Sequence, residues 1–165
     1  MGQKAGGPAL RFAARNSVEQ VELGLELAPK FGPDGLIPVV TTDAASGAIL
    51  MLGWMNADAL RLTIGTRQAH YWSRSREALW RKGEHSGFQQ QVEALLVDDD
   101  QDALILKVRL EGPGSCHVGY RSCFYREIDL DAVGAGATVP LRMVEQGQAF
   151  DAEAIYAGLE NPTRL

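Results

Sequence analysis

The chain has only two cysteines, Cys116 and Cys123, and both lie in one polar segment with His117. Thiolates are zinc ligands, and the histidine could act as a ligand, a proton shuttle or an orienting group. Two cysteines cannot close a four-coordinate structural site within one chain, so such a site would borrow a ligand from a second subunit or leave a position for water. The alternative is a pair of small, core-packing cysteines, and the residues alone leave both interpretations open.

Four aspartates fall within the short acidic segment 98–102. Their charges repel one another unless a cation or a well-hydrated surface compensates. Alternation along an extended segment puts Asp98, Asp100 and Asp102 on one side and Asp99 on the other. Three carboxylates on one side suit a hard divalent cation such as Mg²⁺. The alternative is a solvated acidic hairpin turn, because aspartate is common in turns.

A basic segment at positions 74–82 stands out in a chain whose formal net charge is -5. Arginine side chains bind phosphate oxygens in a forked geometry, and the face of a tryptophan can stack on a base. The segment therefore predicts a nucleotide-phosphate site made by Arg74, Arg76, Trp80, Arg81 and Lys82. A solvated basic turn over core aromatic residues is the competing interpretation.

Composition narrows the class of protein. With 45% hydrophobic and 22% charged residues, the 165-residue chain is ordinary for one globular domain that folds without disulfides. The negative net charge argues against nonspecific binding of nucleic acid. No apolar run reaches the roughly 20 residues that span a bilayer, and the N-terminus carries no convincing secretory signal, so the expected location is the cytosol. In that reducing compartment, two nearby cysteines indicate metal or redox chemistry.

The elements that must position these three segments are predicted to be short. Strands are expected at 36–42, 48–54, 69–73, 89–97, 103–110 and 122–128, and the first two form a hairpin. Helices are expected from a Ser17 cap to Pro29, from an Asn56 cap to Thr66, and weakly at 151–158. Trp54 and Tyr71 are expected in the core.

This pattern predicts an α+β fold: a single β-rich domain of mostly antiparallel strands with a few short helices. The domain is expected at residues 17–130, after a flexible N-terminal tail at 1–16 and before a C-terminal extension at 131–165. No internal repeat and no linker divides the chain.

Taken together and in this order, the three segments resemble the phosphoribosyl-AMP cyclohydrolase family. The resemblance covers roughly residues 36–126. Its motifs are Leu50-Met-Leu-Gly-Trp-Met-Asn56, Tyr71-Trp-Ser-Arg-Ser-Arg76, Leu79-Trp-Arg-Lys-Gly-Glu84 with Ser86-Gly87, the acidic segment, and Cys116-His-Val-Gly-Tyr-Arg-Ser-Cys-Phe-Tyr125. Several long motifs in one order make the match very specific.

The resemblance implies an intertwined homodimer whose metal sites form between the subunits. The family's magnesium ligands correspond to Asp98, Asp100 and Asp102. Two of its zinc ligands correspond to Cys116 and Cys123. The third is commonly a cysteine within the acidic segment, where this chain has Asp99. Either Asp99 of the partner subunit or His117 would then complete the zinc site.

The family hydrolyses 1-(5-phosphoribosyl)-AMP in the third step of histidine biosynthesis. The resemblance implies that a zinc-activated water attacks C6 of the adenine ring and that the N1–C6 bond breaks without loss of ammonia. His117 is the candidate for proton transfer, and the basic segment would hold one of the two phosphates. Some relatives carry a fused phosphoribosyl-ATP pyrophosphatase, but too few residues follow Arg126 for that domain here, which predicts a single activity.

Two other functions compete with the enzyme. A homologue that has lost catalysis through the change to Asp99 would bind the nucleotide tightly without opening its ring. A structural zinc dimer would lose its association on chelation and would have no affinity for nucleotides. The basic segment favours the enzyme, because a scaffold has little need for phosphate ligands.

Overall fold

Eight strands and three α-helices occur in the part of the chain that the structure, a computed structural model, describes: residues 10–132, 134, 136 and 138–163. The strands are β1 (Ile37–Asp43), β2 (Ile49–Met55), β3 (His70–Ser73), β4 (Ala78–Arg81), β5 (Gln90–Val97), β6 (Leu104–Leu110), β7 (Arg126–Ile128) and β8 (Leu141–Met143). The helices are α1 (Val18–Leu23), α2 (Ala57–Thr66) and α3 (Ala152–Ile155), with a 3₁₀ turn at Leu130–Ala132. None of these helices is long and apolar enough to cross a membrane.

The core lies on one four-stranded sheet, ordered β2–β1–β6–β5. β1 and β2 form the predicted antiparallel hairpin, and β5 and β6 form another. β1 runs parallel to β6, and this pairing joins the two hairpins. The expected α+β domain of mostly antiparallel strands is confirmed, although the sequence pattern did not indicate the parallel pairing.

Alternating side chains explain the central position of β1. Ile37, Val39 and Thr41 are fully buried, while the residues between them are only half-buried. α2 packs against the same core and begins at the predicted cap, where the Asn56 side chain accepts a hydrogen bond from the Ala59 amide at 2.8 Å. The local sequence signals for this half of the fold are therefore confirmed.

The basic segment belongs to a separate hairpin, which is formed by β3 and β4 outside the central sheet. β3 pairs antiparallel with β4, so that Tyr71 lies opposite Trp80 and His70 lies opposite Arg81. Tyr71 is fully buried, as expected, and its hydroxyl lies 2.7 Å from Thr41 Oγ1. This hairpin fixes the direction in which each residue of the basic segment points.

α1 begins at the predicted Ser17 cap, whose hydroxyl accepts a hydrogen bond from the Gln20 amide at 3.1 Å. The expected continuation to Pro29 is wrong, because the helix ends at Leu23. Leu25 is fully exposed, so the apolar pattern after that point does not mark a buried helix face.

Two of the described residues before α1 contact the folded domain. Phe12 packs against the core cluster, and the Ala13 amide donates to the Leu27 carbonyl at 2.8 Å. These contacts involve residues that the sequence assigned to a flexible tail. The part of that predicted tail at residues 1–9 lies outside the described residues.

The predicted strand at 122–128 is wrong over its first half. Only its last three residues form a strand, β7, which pairs with β8. Residues 122–125 are irregular because side chains take part in their hydrogen bonds, as where Ser122 Oγ donates to the Ile49 carbonyl at 2.8 Å. The predicted C-terminal helix is confirmed as α3, although it is only one turn long.

Candidate active site

The two cysteines lie in the segment Ser115–Tyr125, which we call the cysteine loop. The Cys116 amide donates to the Tyr120 carbonyl at 3.1 Å, and the Cys123 amide donates to the Leu50 carbonyl of β2 at 2.7 Å. These bonds bring the two free thiols into hydrogen-bonding contact with each other. Cys116 is buried, whereas Cys123 reaches the surface. The loop therefore presents two soft metal ligands side by side.

The contact between the thiols changes the acidity of both. The hydrogen bond from Cys123 lowers the pKa of the Cys116 thiol, and the nearby Lys82 ammonium contributes to the same shift. The same hydrogen bond raises the pKa of the Cys123 thiol. The pair is therefore poised to hold one thiolate and one proton, and metal binding would release that proton.

The Lys82 ammonium is buried against the cysteine loop. Its Nζ donates to the Ser115 carbonyl at 2.5 Å and lies 5.6 Å from the centre of the Trp80 ring. Burial lowers the pKa of Lys82, and the neighbouring thiols oppose that shift. Since a buried cation needs a negative partner, the thiolate of the cysteine pair is its counter-charge. Lys82 thus lies beside the candidate zinc ligands rather than on the surface of the basic segment.

His117 is half-buried next to the first cysteine. Burial lowers its pKa, the Lys82 ammonium adds to that effect, and a hydrogen bond with Asn161 opposes it. Its Nε2 atom is buried and has no hydrogen-bond partner among the described residues. A neutral imidazole with one ring nitrogen left for a ligand fits the proton-transfer role proposed for this residue.

The other members of the predicted phosphate site do not form one cluster. Arg74 and Arg76 are exposed on the turn between β3 and β4. The Arg74 guanidinium lies 4.7 Å from the centre of the Trp54 ring, and Arg76 Nε donates to Ser73 Oγ at 3.2 Å. Trp54, which was expected in the core, is only half-buried beneath this arginine.

Arg81 and Trp80 point to opposite faces of β4, because successive strand residues alternate. Arg81 donates to the Gln68 side-chain carbonyl at 3.2 Å. The Trp80 ring lies 5.1 Å from the Tyr71 ring and packs against the core. The structure therefore separates the basic segment into two exposed arginines at the turn, one arginine beside Gln68, and Lys82 beside the thiols.

The acidic segment forms a turn between β5 and β6. Carboxylate oxygens of Asp98, Asp100 and Asp102 lie within 4.8 Å of one another, and Asp99 is exposed outside this group. Asp98 Oδ1 accepts hydrogen bonds from the Asp102 and Ala103 amides at 2.9 and 3.0 Å. The expected separation of three aspartates from the fourth is present, and the oxygen donors suit Mg²⁺.

The Lys30 ammonium forms ion pairs within this carboxylate cluster. This contact was not predicted from the sequence. The Lys30 Nζ atom lies 2.9 Å from Asp100 Oδ2 and 3.3 Å from Asp102 Oδ2, and this pairing lowers the pKa of Asp100. The Lys30 amide also donates to the Gln101 carbonyl at 2.7 Å. The lysine is 70 positions before Asp100, so no local pattern could indicate the contact.

We expect Lys30→Met to tighten Mg²⁺ binding a few-fold, because the ammonium competes with the ion for the same oxygens. Both groups are exposed, so the effect should shrink as salt screens the pair. Calorimetric titration with Mg²⁺ at low and high ionic strength measures it. Lys107→Met, which removes an exposed lysine of β6, is the matched control. An unchanged dissociation constant for Lys30→Met would show that the lysine does not compete.

The described residues of one chain do not supply a complete set of zinc ligands. Among the described residues, Asp98, Asp100 and Asp102 form the only group of at least three Cys, His, Asp or Glu side chains with clustered ligand atoms. The cysteine pair therefore has no third such ligand within the described part of its own subunit. Two adjacent thiols fit zinc, and the missing ligand must come from outside this group or from water.

A β-rich α+β domain that contains a pair of thiols, a half-buried imidazole and a cluster of three carboxylates is typical of a metal-dependent hydrolase. The sequence profile of phosphoribosyl-AMP cyclohydrolase matches residues 51–125. The chain is 51% identical over 138 residues to phosphoribosyl-AMP cyclohydrolase of Rhodopseudomonas palustris strain BisA53, covering 84% of this chain and 92% of the relative. It is 55% identical over 119 residues to that of Caulobacter vibrioides strain NA1000 / CB15N, covering 72% and 86%. It therefore belongs to the phosphoribosyl-AMP cyclohydrolase family of hydrolases.

A third relative gives a similar match. The phosphoribosyl-AMP cyclohydrolase of Methanococcoides burtonii is 56% identical over 105 residues, covering 64% of this chain and 86% of the relative. The high identity over this shorter stretch shows that the resemblance is concentrated in part of the chain.

Proposed function

We propose that the protein hydrolyses 1-(5-phosphoribosyl)-AMP, opening the adenine ring between N1 and C6 in the third step of histidine biosynthesis. Membership of the family supports the reaction. The observation that carries the proposal is the contact between the Cys116 and Cys123 thiols. His117 follows Cys116 in the chain, and its Nε2 has no hydrogen-bond partner among the described residues. Such an arrangement serves hydrolysis, because it combines metal ligands with a group that can move a proton.

Zinc would be held by Cys116 and Cys123, with Asp99 of the partner subunit as the third ligand. Zinc supplies, when bound, a Lewis acid that lowers the pKa of water toward neutrality. A carboxylate in place of the family's cysteine makes the donor set harder. The support for a ligand from a second subunit is that Asp99 is exposed and stands outside the carboxylate cluster of its own chain.

His117 would move the proton in the reaction. A water oxygen adds to C6, and Nε2 of His117 accepts the proton that the water loses. The N1–C6 bond then breaks and N1 takes the proton from His117. The second proton of the added water leaves the C6 hydroxyl for solvent, and C6 becomes the carbonyl carbon of a carboxamide. The exocyclic amine stays on C6, so no ammonia is released. The lowered pKa of His117 keeps its imidazole neutral and able to accept a proton near pH 7.

The phosphate and magnesium sites follow from the remaining charged groups. Asp98, Asp100 and Asp102 would hold Mg²⁺, with Lys30 displaced from their oxygens. The exposed guanidinium groups of Arg74 and Arg76 and the half-buried one of Arg81 are proposed to bind a substrate phosphate. The free part of the Trp80 indole is proposed to face the base. Lys82 differs, because its ammonium already bonds to the cysteine loop and acts there on the thiols.

A homodimer would complete the site. Apolar side chains remain exposed on the outward face of the central sheet: Ile49, Leu52, Leu96 and Ile105. A monomer rarely leaves such a row open to water, so a second copy of the chain is the proposed cover. The same association would bring Asp99 of one subunit to the cysteines of the other.

Removing metal should abolish turnover of 1-(5-phosphoribosyl)-AMP, and adding Zn²⁺ with Mg²⁺ should restore it. The experiment follows ring opening by absorbance in protein that has been stripped with a chelator and then reloaded with each ion alone or both. Circular dichroism of the stripped protein controls for loss of fold. Turnover that survives complete stripping would contradict the proposal, and a reloaded dimer that binds nucleotide without turnover would indicate a homologue that has lost catalysis.

A further inference from the structure

The C-terminal extension covers the cysteine loop. The segment Val144–Phe150, which we call the clamp, follows β8 and lies beyond the matched family profile, which ends at residue 125. It begins where the Val144 amide donates to the Tyr125 carbonyl at 2.9 Å. From there the clamp makes contacts along the loop that contains both candidate zinc ligands.

Glu145 is the central contact of the clamp. Its two carboxylate oxygens accept hydrogen bonds from the Arg121 and Ser122 amides, each at 2.9 Å. These amides lie immediately before Cys123 in the chain. Hydrogen bonds to a charged acceptor are stronger than those between neutral groups, so Glu145 fixes the backbone that aims the second thiol.

The other end of the clamp holds the middle of the loop. Gln148 Nε2 donates to the Val118 carbonyl at 2.6 Å, and the Ala149 amide donates to the Gly119 carbonyl at 2.7 Å. Gly119 has a φ of +99, and a Cβ atom there would lie 2.8 Å from the Phe150 carbonyl oxygen. Only glycine permits this approach of the two backbones.

The cysteine loop needs such support because it has no regular secondary structure of its own. Each residue of an irregular loop gains conformational entropy when it is released, and ordering it again costs free energy. Metal ligands that must be ordered on binding would lose affinity to that cost, whereas a loop that is already fixed would not.

We infer that the clamp holds Cys116 and Cys123 in place for metal binding and that Glu145 is its main positioning residue. This inference rests on the proposed function, since it concerns the residues that would bind zinc. Glu145 does not act as a ligand in it, because its carboxylate does not form a ligand cluster with the two thiols among the described residues. The extension is thereby a working part of the site rather than an appendage.

The test compares Glu145→Ala and Glu145→Gln with the wild type. Zinc affinity is measured by competition with a chromophoric chelator, and Co²⁺ is used as a probe whose charge-transfer band reports thiolate ligation. Loss of an outer partner of metal ligands typically lowers affinity 10–100-fold, so we expect that loss in Glu145→Ala and a smaller one in Glu145→Gln. Glu127→Gln, which breaks the exposed Glu127–Arg142 pair in the β7–β8 hairpin, is the control and should bind zinc like the wild type.

Two readouts separate the inference from the proposed function. Hydrogen exchange of the Arg121 and Ser122 amides in metal-free protein should accelerate at least tenfold in Glu145→Ala, whether or not zinc is the native metal. Unchanged exchange and zinc affinity in Glu145→Ala would overturn the inference while the wild type still binds zinc. If the wild type shows no thiolate–Co²⁺ band but the amides exchange faster in the variant, the clamp stands as a holder of the loop and the zinc assignment fails.

Discussion

Replacing Cys116 with serine is expected to lower kcat by about a thousandfold, which corresponds to about 4 kcal/mol of lost transition-state stabilisation. Serine is isosteric with cysteine but does not replace a thiolate as a zinc ligand. The nucleotide should still bind, because Arg74 lies over the Trp54 ring and Arg76 donates to Ser73, and neither contact involves the cysteine loop. Steady-state kinetics with 1-(5-phosphoribosyl)-AMP and separate nucleotide titrations measure the two effects, and Cys123→Ser should behave alike.

The control for this substitution lies in the same loop. Ser122→Ala removes a hydroxyl that donates to the Ile49 carbonyl at 2.8 Å, without changing either thiol. We expect that variant to keep turnover within a few-fold of the wild type. Full activity in Cys116→Ser or Cys123→Ser, in protein that keeps its fold, would remove zinc bound by these cysteines from the mechanism.

Local sequence signals were sufficient for much of the fold. The caps at Ser17 and Asn56 mark the starts of α1 and α2. Each side-chain oxygen accepts a hydrogen bond from an amide only three residues later, so the signal is local in the sequence. The alternation in β1 likewise reflects which side chains meet the core. The irregular segment 122–125 is predicted wrongly as a strand, because Ile49 and Glu145, the hydrogen-bond partners of Ser122, are distant in sequence.

Parts of the candidate site could not be predicted from the sequence, because their contacts join residues that are distant in the chain. Residue types singled out the thiols and the three aspartates, whose members are neighbours in the chain. Lys30 and Glu145 carry no local signal, since each meets the site only through folding. The sequence does not distinguish Lys82 from the other cations of the basic segment. β4 turns Arg81 away from it, and the Lys82 ammonium is buried beside the thiols.

Two inactive variants, Asp99→Ala and Cys116→Ser, are expected to recover activity when their subunits are mixed. If each zinc site takes Asp99 from one subunit and both cysteines from the other, a hybrid dimer has one doubly altered site and one intact site. Random exchange makes half of the dimers hybrid, so the mixture should reach about a quarter of wild-type turnover. Subunits are exchanged under mild denaturant, reloaded with Zn²⁺ and Mg²⁺, and assayed on 1-(5-phosphoribosyl)-AMP.

Mixing Cys116→Ser with Cys123→Ser is the matched control, because both changes fall on the same side of the shared site. Every site in that hybrid lacks one thiolate, so the mixture should remain inactive. Recovery in the first mixture alone can arise only if Asp99 and the cysteine pair serve one site from different chains. No recovery despite demonstrated exchange would place Asp99 and the cysteines of one subunit in the same site. Full activity of Asp99→Ala by itself would exclude this carboxylate as a ligand and leave the third position to another group or to water.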